Sequence, residues 1–442
     1  MKIFKLITYF FFIFSIHAED YILMDDETES FLTEIVNNVK NVLRYEKDIK
    51  IYISSNQAIN ASAIETGDIV VNAGAIIQSK NYEELIAILA HEVGHIEGLH
   101  ISTYMTNRID FMKAGLVTTL IGAIASVCSG DASPLLAGVI GGQSIGRGMA
   151  LSKLRQKENI ADTKAAEAIK RLNWPVFGGF VSIHEKLASG SVIYNKYLST
   201  HPQSEDRILK FRKYLNDSKS QNVSESVTKL MKRYEKKFEV IKYKLRALTF
   251  QTEILQTLYK NPKTQDEKYA RAIALYRLNK YEDSISLINK LIFKNGEDEA
   301  YYSEIKCMCL INLKKCSDAA ETAWDILKND RKTKVHRDLG IIYAAAVIDG
   351  NLKKHIPFAI KVLKKILVIH NGDFSALNTL GKLYSISNNL EKASLCAAEL
   401  ALRLGDAAAA KIHAHKAASS SDAITKRKAL DILNSMDNKD KN

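Results

Sequence analysis

The stretch Asn81-Tyr-Glu-Glu84-Leu85-Ile-Ala-Ile88-Leu89-Ala-His91-Glu92-Val93-Gly94-His95 decides how the chain is read. Asn81 is an N-cap residue, and Glu84 three positions later completes a capping-box pattern. The helix opened there passes through Leu85, Ile88 and Leu89 into a His-Glu-x-x-His motif. Four helical steps of about 100° bring the imidazoles of His91 and His95 to within about 40° of each other, one turn apart. Two ligands of one tetrahedral zinc need that placement. Glu92 lies about 100° round the helix, beside the metal but off the ligand line, where a carboxylate can take a proton from water.

The third ligand must come from elsewhere. Gly98 gives the run a superficial likeness to the metzincin pattern, but that pattern needs histidine at 101 and the chain has Ile101. His100 falls about 900° beyond His91, on the opposite face of a continuing helix, and Glu97 is about 120° away. The candidate is Glu158, in Glu158-Asn-Ile-Ala-Asp162. A carboxylate completes a His₂Glu set and leaves a fourth position open. Asp162 follows on the same face one turn later, suited to accepting an imidazole N–H and fixing the tautomer of a ligand.

Upstream, residues 27–47 read as an amphipathic helix with Phe31, Leu32, Ile35, Val36, Val39 and Leu43 on one side. Ile49 to Ser54 alternates like a strand, and Gly67 to Asn72 is a second short strand after a loop rich in Asn, Ala and Ser. Downstream of His100 a second helix leads into two Gly- and Ala-rich apolar pieces, Ala114 to Val127 and Leu135 to Ile145, split by Ser129-Gly-Asp-Ala-Ser-Pro134. Each is short of a full membrane span, which predicts a buried or surface-docking helical hairpin over about 114–146.

From about residue 260 the pattern becomes paired short helices. Leu278-Asn-Lys-Tyr281, Leu313-Lys-Lys-Cys316, Asp349-Gly-Asn-Leu352 and Ser387-Asn-Asn-Leu390 each end one helix and begin another, their last residues 35, 36 and 38 positions apart. The period and the helix–turn–helix unit resemble tetratricopeptide repeats, with Ala274, Tyr276, Ala319 and Ala393 in fitting positions and no unit carrying the full consensus. Such a solenoid offers a concave binding face and does no chemistry.

At 442 residues the chain exceeds one ordinary core. Its 46% hydrophobic and 25% charged residues are those of a folded soluble protein, and five prolines favour helix over most of the length. Lys2, Lys5, the apolar run Leu6 to Ile16 and Ala18 predict a cleaved export signal over 1–18, with an uncleaved anchor as the other reading. Export would place the product outside the cytosol. Cys128, Cys307, Cys309, Cys316 and Cys396 form no disulfide framework and read as buried free thiols, with one disulfide among the last four left open. The net charge is +12, and basic residues crowd Arg207 to Arg246. Interrupting acids suit the solvated face of a long helix, or a weak attraction to an anionic membrane surface. No nucleic-acid motif is present, so nucleic acid is not an expected partner.

His-Glu-x-x-His followed by Glu-x-x-Ala-Asp resembles the zinc metallopeptidase family of the CAAX prenyl endopeptidase and bacterial HtpX. The export signal and C-terminal repeats look like its periplasmic BepA-like branch, the β-barrel assembly-enhancing proteases. The resemblance implies one Zn²⁺ per chain on His91, His95 and Glu158, with Glu92 as general base. Asn60-Ala61 and Gly67 to Gly74 resemble the family's strand before the metal helix, an edge strand that could pair with an extended substrate. Thr200-His201-Pro202 and Arg207 resemble a further family feature, for which oxyanion stabilisation is one role. His201 could instead take the fourth zinc position and hold the enzyme latent, or simply cap the next helix, and Arg207 could be a surface residue of that helix.

The expected fold is therefore mainly α. An α+β metallopeptidase domain with a small sheet covers 19–215, a connecting helix 216–260, and an all-α tetratricopeptide-like solenoid 261–442. The resemblance implies a periplasmic zinc endopeptidase acting on misfolded or misassembled envelope proteins. Its repeats would dock protein clients or the outer-membrane assembly machinery, and peripheral membrane contact would be compatible with this. Two other readings stand: a repeat-based chaperone or scaffold with an inactive metal domain, and a membrane-integral peptidase of the HtpX kind anchored by 114–146.

Overall fold

Alternating apolar residues around position 50 build a small sheet, and the helices packed on it carry the metal motif. The computed structural model describes residues 20–98, 144–188, 201, 205–219, 222–292, 298–328 and 335–437. The expected export signal lies outside the described residues, as does the apolar hairpin apart from the start of a helix at Ser144. Among the described residues no helix is long and apolar enough to cross a membrane. They fall into two compact units, divided between Thr249 and Phe250.

In the first unit four strands, β1 (Ile22–Leu23), β2 (Ile51–Ser54), β3 (Ala61–Ala63) and β4 (Ile69–Asn72), form one sheet in the order β1-β2-β4-β3. β2 and β4 run parallel, with Ile51, Ile53, Ile69 and Val71 buried, while β1 and β3 are antiparallel edges. The segment expected to be a loop thus contains strand β3. Of the two segments expected to resemble an edge strand, Ile69–Asn72 is interior and Ala61–Ala63 is the edge.

Helix α1 (Asp26–Val42) buries Phe31, Leu32, Ile35, Val36 and Val39, and a left-handed Arg44 ends it earlier than the expected residue 47. After α2 (Ala73–Gln78) comes α3 (Tyr82–Glu97), the metal helix. Asn81 Oδ1 accepts from the Glu84 amide at 3.1 Å, but the reciprocal half of the capping box is missing. The Glu84 carboxylate accepts instead from the Lys80 amide, Ser182 and Lys186, at 2.7, 2.6 and 2.5 Å. These last two belong to α5 (Phe177–Ala188), which follows α4 (Ser144–Leu172).

The unit closes with α6 (Glu205–Ser218) and α7 (Glu225–Thr249). The expected connector 216–260 is corrected here: α7 belongs to the first unit's core. Its Met231, Tyr234, Phe238, Ile241 and Leu245 are buried, and Tyr234 meets Phe31 and Trp174 edge to face. Two of its lysines also turn inward. Lys244 pairs with Asp25 and, at 2.8 Å, with Glu27, and Lys237 reaches Glu27 at 2.6 Å. Burial would raise the Glu27 pKa, but these two ammonium groups bring it down to about 2.

The second unit begins with α8 (Thr252–Thr257) and continues as helix pairs. These are α9 (Gln265–Arg277) with α10 (Tyr281–Asn289), α11 (Glu299–Asn312) with α12 (Cys316–Leu327), and α13 (Arg337–Asp349) with α14 (Ile356–Ile369). Then follow α15 (Phe374–Ile386) with α16 (Leu390–Arg403), and α17 (Ala407–Ala418) with α18 (Ala423–Asp437). After the first helix of four successive pairs stands a left-handed residue, Asn279, Lys314, Asn351 and Asn388. Each turn closes with the two reversed hydrogen bonds of a Schellman motif, such as Asn279 N to Tyr276 O and Lys280 N to Leu275 O. Small buried residues (Ala319, Ala323, Ala344, Ala359, Ala376) let the helices pack around Tyr343, Leu363 and Leu380. Cys307, Cys309, Cys316 and Cys396 are buried and free.

One contact positions the site. A methyl group on Gly94 of α3 would lie 2.4 Å from the Ala161 carbonyl oxygen of α4. We expect Gly94→Ala to push the helices apart and lower stability by about 1–3 kcal/mol. Urea unfolding of the metal-free protein measures the loss.

Candidate metal centre

Helix α3 supplies His91, Glu92 and His95, and α4 supplies Glu158 and Asp162. His201 stands between α5 and α6, and Arg207 lies in the first turn of α6. All seven are buried.

Four of them converge. His91 Nε2 is 3.1 Å from His95 Nε2, 3.2 Å from His201 Nδ1 and 3.2 Å from Glu158 Oε2. Glu158 Oε1 is 3.2 Å from His95 Nε2, and His201 Nδ1 is 3.2 Å from Glu158 Oε2. Four donors at the corners of a tetrahedron with bonds of about 2.0 Å are about 3.3 Å apart. Five spacings match such edges, with Glu158 meeting His95 through Oε1 and His91 and His201 through Oε2, and all four donors lie within 4.8 Å of one another. Three imidazole nitrogens and a carboxylate pointing at one another bring lone pairs together, and a divalent cation resolves that repulsion. The residues present therefore fit a metal ion of the kind bound by His and carboxylate.

Behind the donors, His91 Nδ1 lies 2.9 Å from Asp162 Oδ1, which leaves Nε2 to face the centre. Arg207 grips Asp162 with two parallel bonds, Nε to Oδ2 at 2.7 Å and Nη2 to Oδ1 at 2.9 Å, and its Nη1 is 3.0 Å from Glu158 Oε2. The surface setting considered for Arg207 is overturned by its burial. Its guanidinium is taken up by the two carboxylates, a different setting from the free one expected for an oxyanion donor. Glu92 Oε2 accepts from the Ala63 amide of β3 at 2.9 Å, and Oε1 is 3.6 Å from His201 Nε2.

Burial by itself would lower the His91 pKa. Glu158, and the hydrogen bonds to Asp162 and Glu158, outweigh it and raise the pKa to about 10. Glu158 is held well below the carboxylate range, because His201 and His91 outweigh the burial that would raise it. Asp162 is held low in the same way by Arg207 and His91, whereas burial pushes His95 down towards the neutral imidazole.

Three features were not anticipated from the sequence: the Gly94–Ala161 approach, the Arg207 clamp and the Ala63 amide. The first left a signal in the small residues inside both motifs. The other two depend on long-range register. A small cavity walled by Ala87, Ile88, Phe180 and Ile183 adjoins His91 and Arg207.

Residues 26–215 match the sequence profile of peptidase family M48. The β-barrel assembly-enhancing protease of Yersinia pestis is 24% identical over 276 residues, which make up 60% of this chain and 55% of that protein. The protein of the same name from Escherichia coli (strain K12) is 22% identical over 386 residues, 84% of this chain and 75% of that one. The chain thus spans about half the length of the first relative and three quarters of the second. The crystal structure of the P58(IPK) TPR domain aligns over 65% of this chain and 86% of that one, at 15% identity and a TM-score of 0.19. So low a score bears no weight, and the repeats rest on their helix pairs and turns.

The proton on His91 competes with a metal. At neutral pH the metal-free centre keeps it, since its pKa is about 10, and ligation by Nε2 requires its loss. Metal uptake at pH 7 should release about one proton, and affinity should rise about tenfold per pH unit between 6 and 8. Calorimetric titration in buffers of different ionisation enthalpy measures both.

Proposed function

We propose that the chain is a zinc-dependent endopeptidase of the cell envelope. The convergence of His91, His95, Glu158 and His201 at 3.1–3.3 Å, with the Glu92 carboxylate alongside, carries the reading. His91, His95 and Glu158 hold one Zn²⁺. When bound, the ion supplies a Lewis acid for the scissile carbonyl and makes water acidic near neutral pH. Glu92 takes the proton of the attacking water at Oε1 and hands it to the leaving amine. Asp162 fixes the His91 ring, and Arg207 positions both carboxylates rather than meeting the oxyanion. The outer edge of β3, paired with no strand among the described residues, is the place for an extended substrate to add as a further strand.

His201 is set as a fourth donor, which favours a latent resting enzyme over a transition-state role. In that reading the imidazole vacates its place before a substrate enters. The matching relatives are named β-barrel assembly-enhancing proteases, which supports clients among misassembled envelope proteins, in keeping with the export signal expected at residues 1–18. The helix pairs of the second unit would dock clients or the outer-membrane assembly machinery.

Glu92→Gln should keep the metal and abolish cleavage of casein, a loss of at least about a hundredfold. Turnover at the wild-type rate would sink the mechanism. His201→Ala should raise casein cleavage several-fold if the imidazole is a latch, whereas loss of activity with metal retained would assign it to the transition state.

A further inference from the structure

The edge strand β3 touches the catalytic helix through one backbone group, and that group has a consequence for the chemistry. We propose that the main-chain amide of Ala63 is a positioning group of the active site. It holds Glu92 Oε2 and leaves Oε1 as the oxygen that handles the proton. This rests on the reading of Glu92 as general base.

The register of the sheet shows why this amide is available. Ala61, Ser62 and Ala63 of β3 face Val71, Val70 and Ile69 of β4. Asn72 N donates to Asn60 O and Ile64 N donates to Asp68 O, so residues 60, 62 and 64 turn their backbone groups towards β4. In an antiparallel pair the intervening residues turn theirs away. Ala61 and Ala63 therefore present N–H and C=O on the free side of the sheet. The Ala63 amide is not left to solvent, since it donates to Glu92 Oε2 at 2.9 Å in a buried contact.

The two oxygens of Glu92 are thereby made unequal. Glu92 is 0% exposed, so its carboxylate has no bulk water to hydrate it. Oε2 has the amide, while Oε1 is buried with no hydrogen bond among the described residues and lies 3.6 Å from His201 Nε2. A carboxylate free to turn would spend part of its time with neither oxygen aimed along the productive direction. A donor fixed in a strand removes that freedom without any side-chain motion of its own. Alanine at 61 and 63, exposed by 1% and 3%, lets the strand lie close to α3.

Ala63→Pro tests the idea, because it removes this amide and nothing in the β3–β4 ladder, and proline is tolerated on an edge strand. Kinetics should show kcat down about tenfold or more, KM changed less than about threefold and metal content kept. Ala63→Gly, which retains the amide, should restore most of kcat. A folded, metal-loaded Ala63→Pro with wild-type kcat would overturn the proposal. Should the proline variant lose its fold, hydrogen exchange decides. In ¹⁵N-alanine-labelled metal-free protein the Ala63 amide should exchange slowly, and at least about a hundredfold faster in Glu92→Ala, the mark of a lost hydrogen bond. Equal exchange rates in the two proteins would also overturn it. Failure of the peptidase reading looks different: Glu92→Gln would cleave casein normally while the Ala63 amide stayed protected.

Discussion

The approach of Gly94 to the Ala161 carbonyl is the constraint on which the metal centre depends. Helices packed through ordinary side chains keep their axes about 8–10 Å apart. Four donors spaced at 3.1–3.3 Å tolerate little of that separation. On α3, His91 and His95 flank Gly94, and on α4, Glu158 and Asp162 flank Ala161. The ligands therefore radiate from the point of closest contact. The two sequence motifs are the two halves of one packing interaction, and the chemistry is arranged around its centre.

Electrostatics explain why this packed centre favours a cation. Glu92, Glu158 and Asp162 are buried, and Arg207 is the fixed cation set among them. The remaining negative charge is offset either by a proton on His91 or by a metal ion, and the two compete. A second buried charge cluster in the same unit behaves differently. There the buried Asp25 and Glu27 meet Lys244 and Lys237, so the compensating charges are covalently part of α7 and hold it against α1. One cluster is complete within the chain and serves as a clasp. The other is incomplete without a small cation.

Much of this was legible in the sequence where a short period repeats. The apolar stripe of α1, the α3 motif and the left-handed turns of the helix pairs follow from local rules. Strands β1 and β3, two and three residues long, are too short to show alternation, and only the family resemblance at Asn60-Ala61 pointed to β3. Helix α7 was hidden by its own charge. Its many lysines suggested a solvated connector, although Tyr234, Phe238 and Ile241 recur at core spacing and two of the lysines point inward. The third ligand could be reached from chemistry and helical angle, since Glu158 and Asp162 share a helix with each other. Arg207 could be named but not oriented, because a separation of 45 positions from Asp162 carries no register.

Stability alone would not place these residues as they stand. A buried carboxylate oxygen lacking a hydrogen bond is unfavourable by about 1–3 kcal/mol, and Glu92 Oε1 is such an atom among the described residues. Three imidazoles crowded on one carboxylate are a second local conflict of the same kind. A domain serving only as a scaffold for the repeats has no physical use for either. Conflicts of this sort concentrate at functional sites, where consistency of the fold gives way to chemistry. Here both meet within one turn of α3, on the side where β3 leaves its edge unpaired by any strand of the sheet. That coincidence separates a working centre from a vestige more sharply than the presence of five residue types.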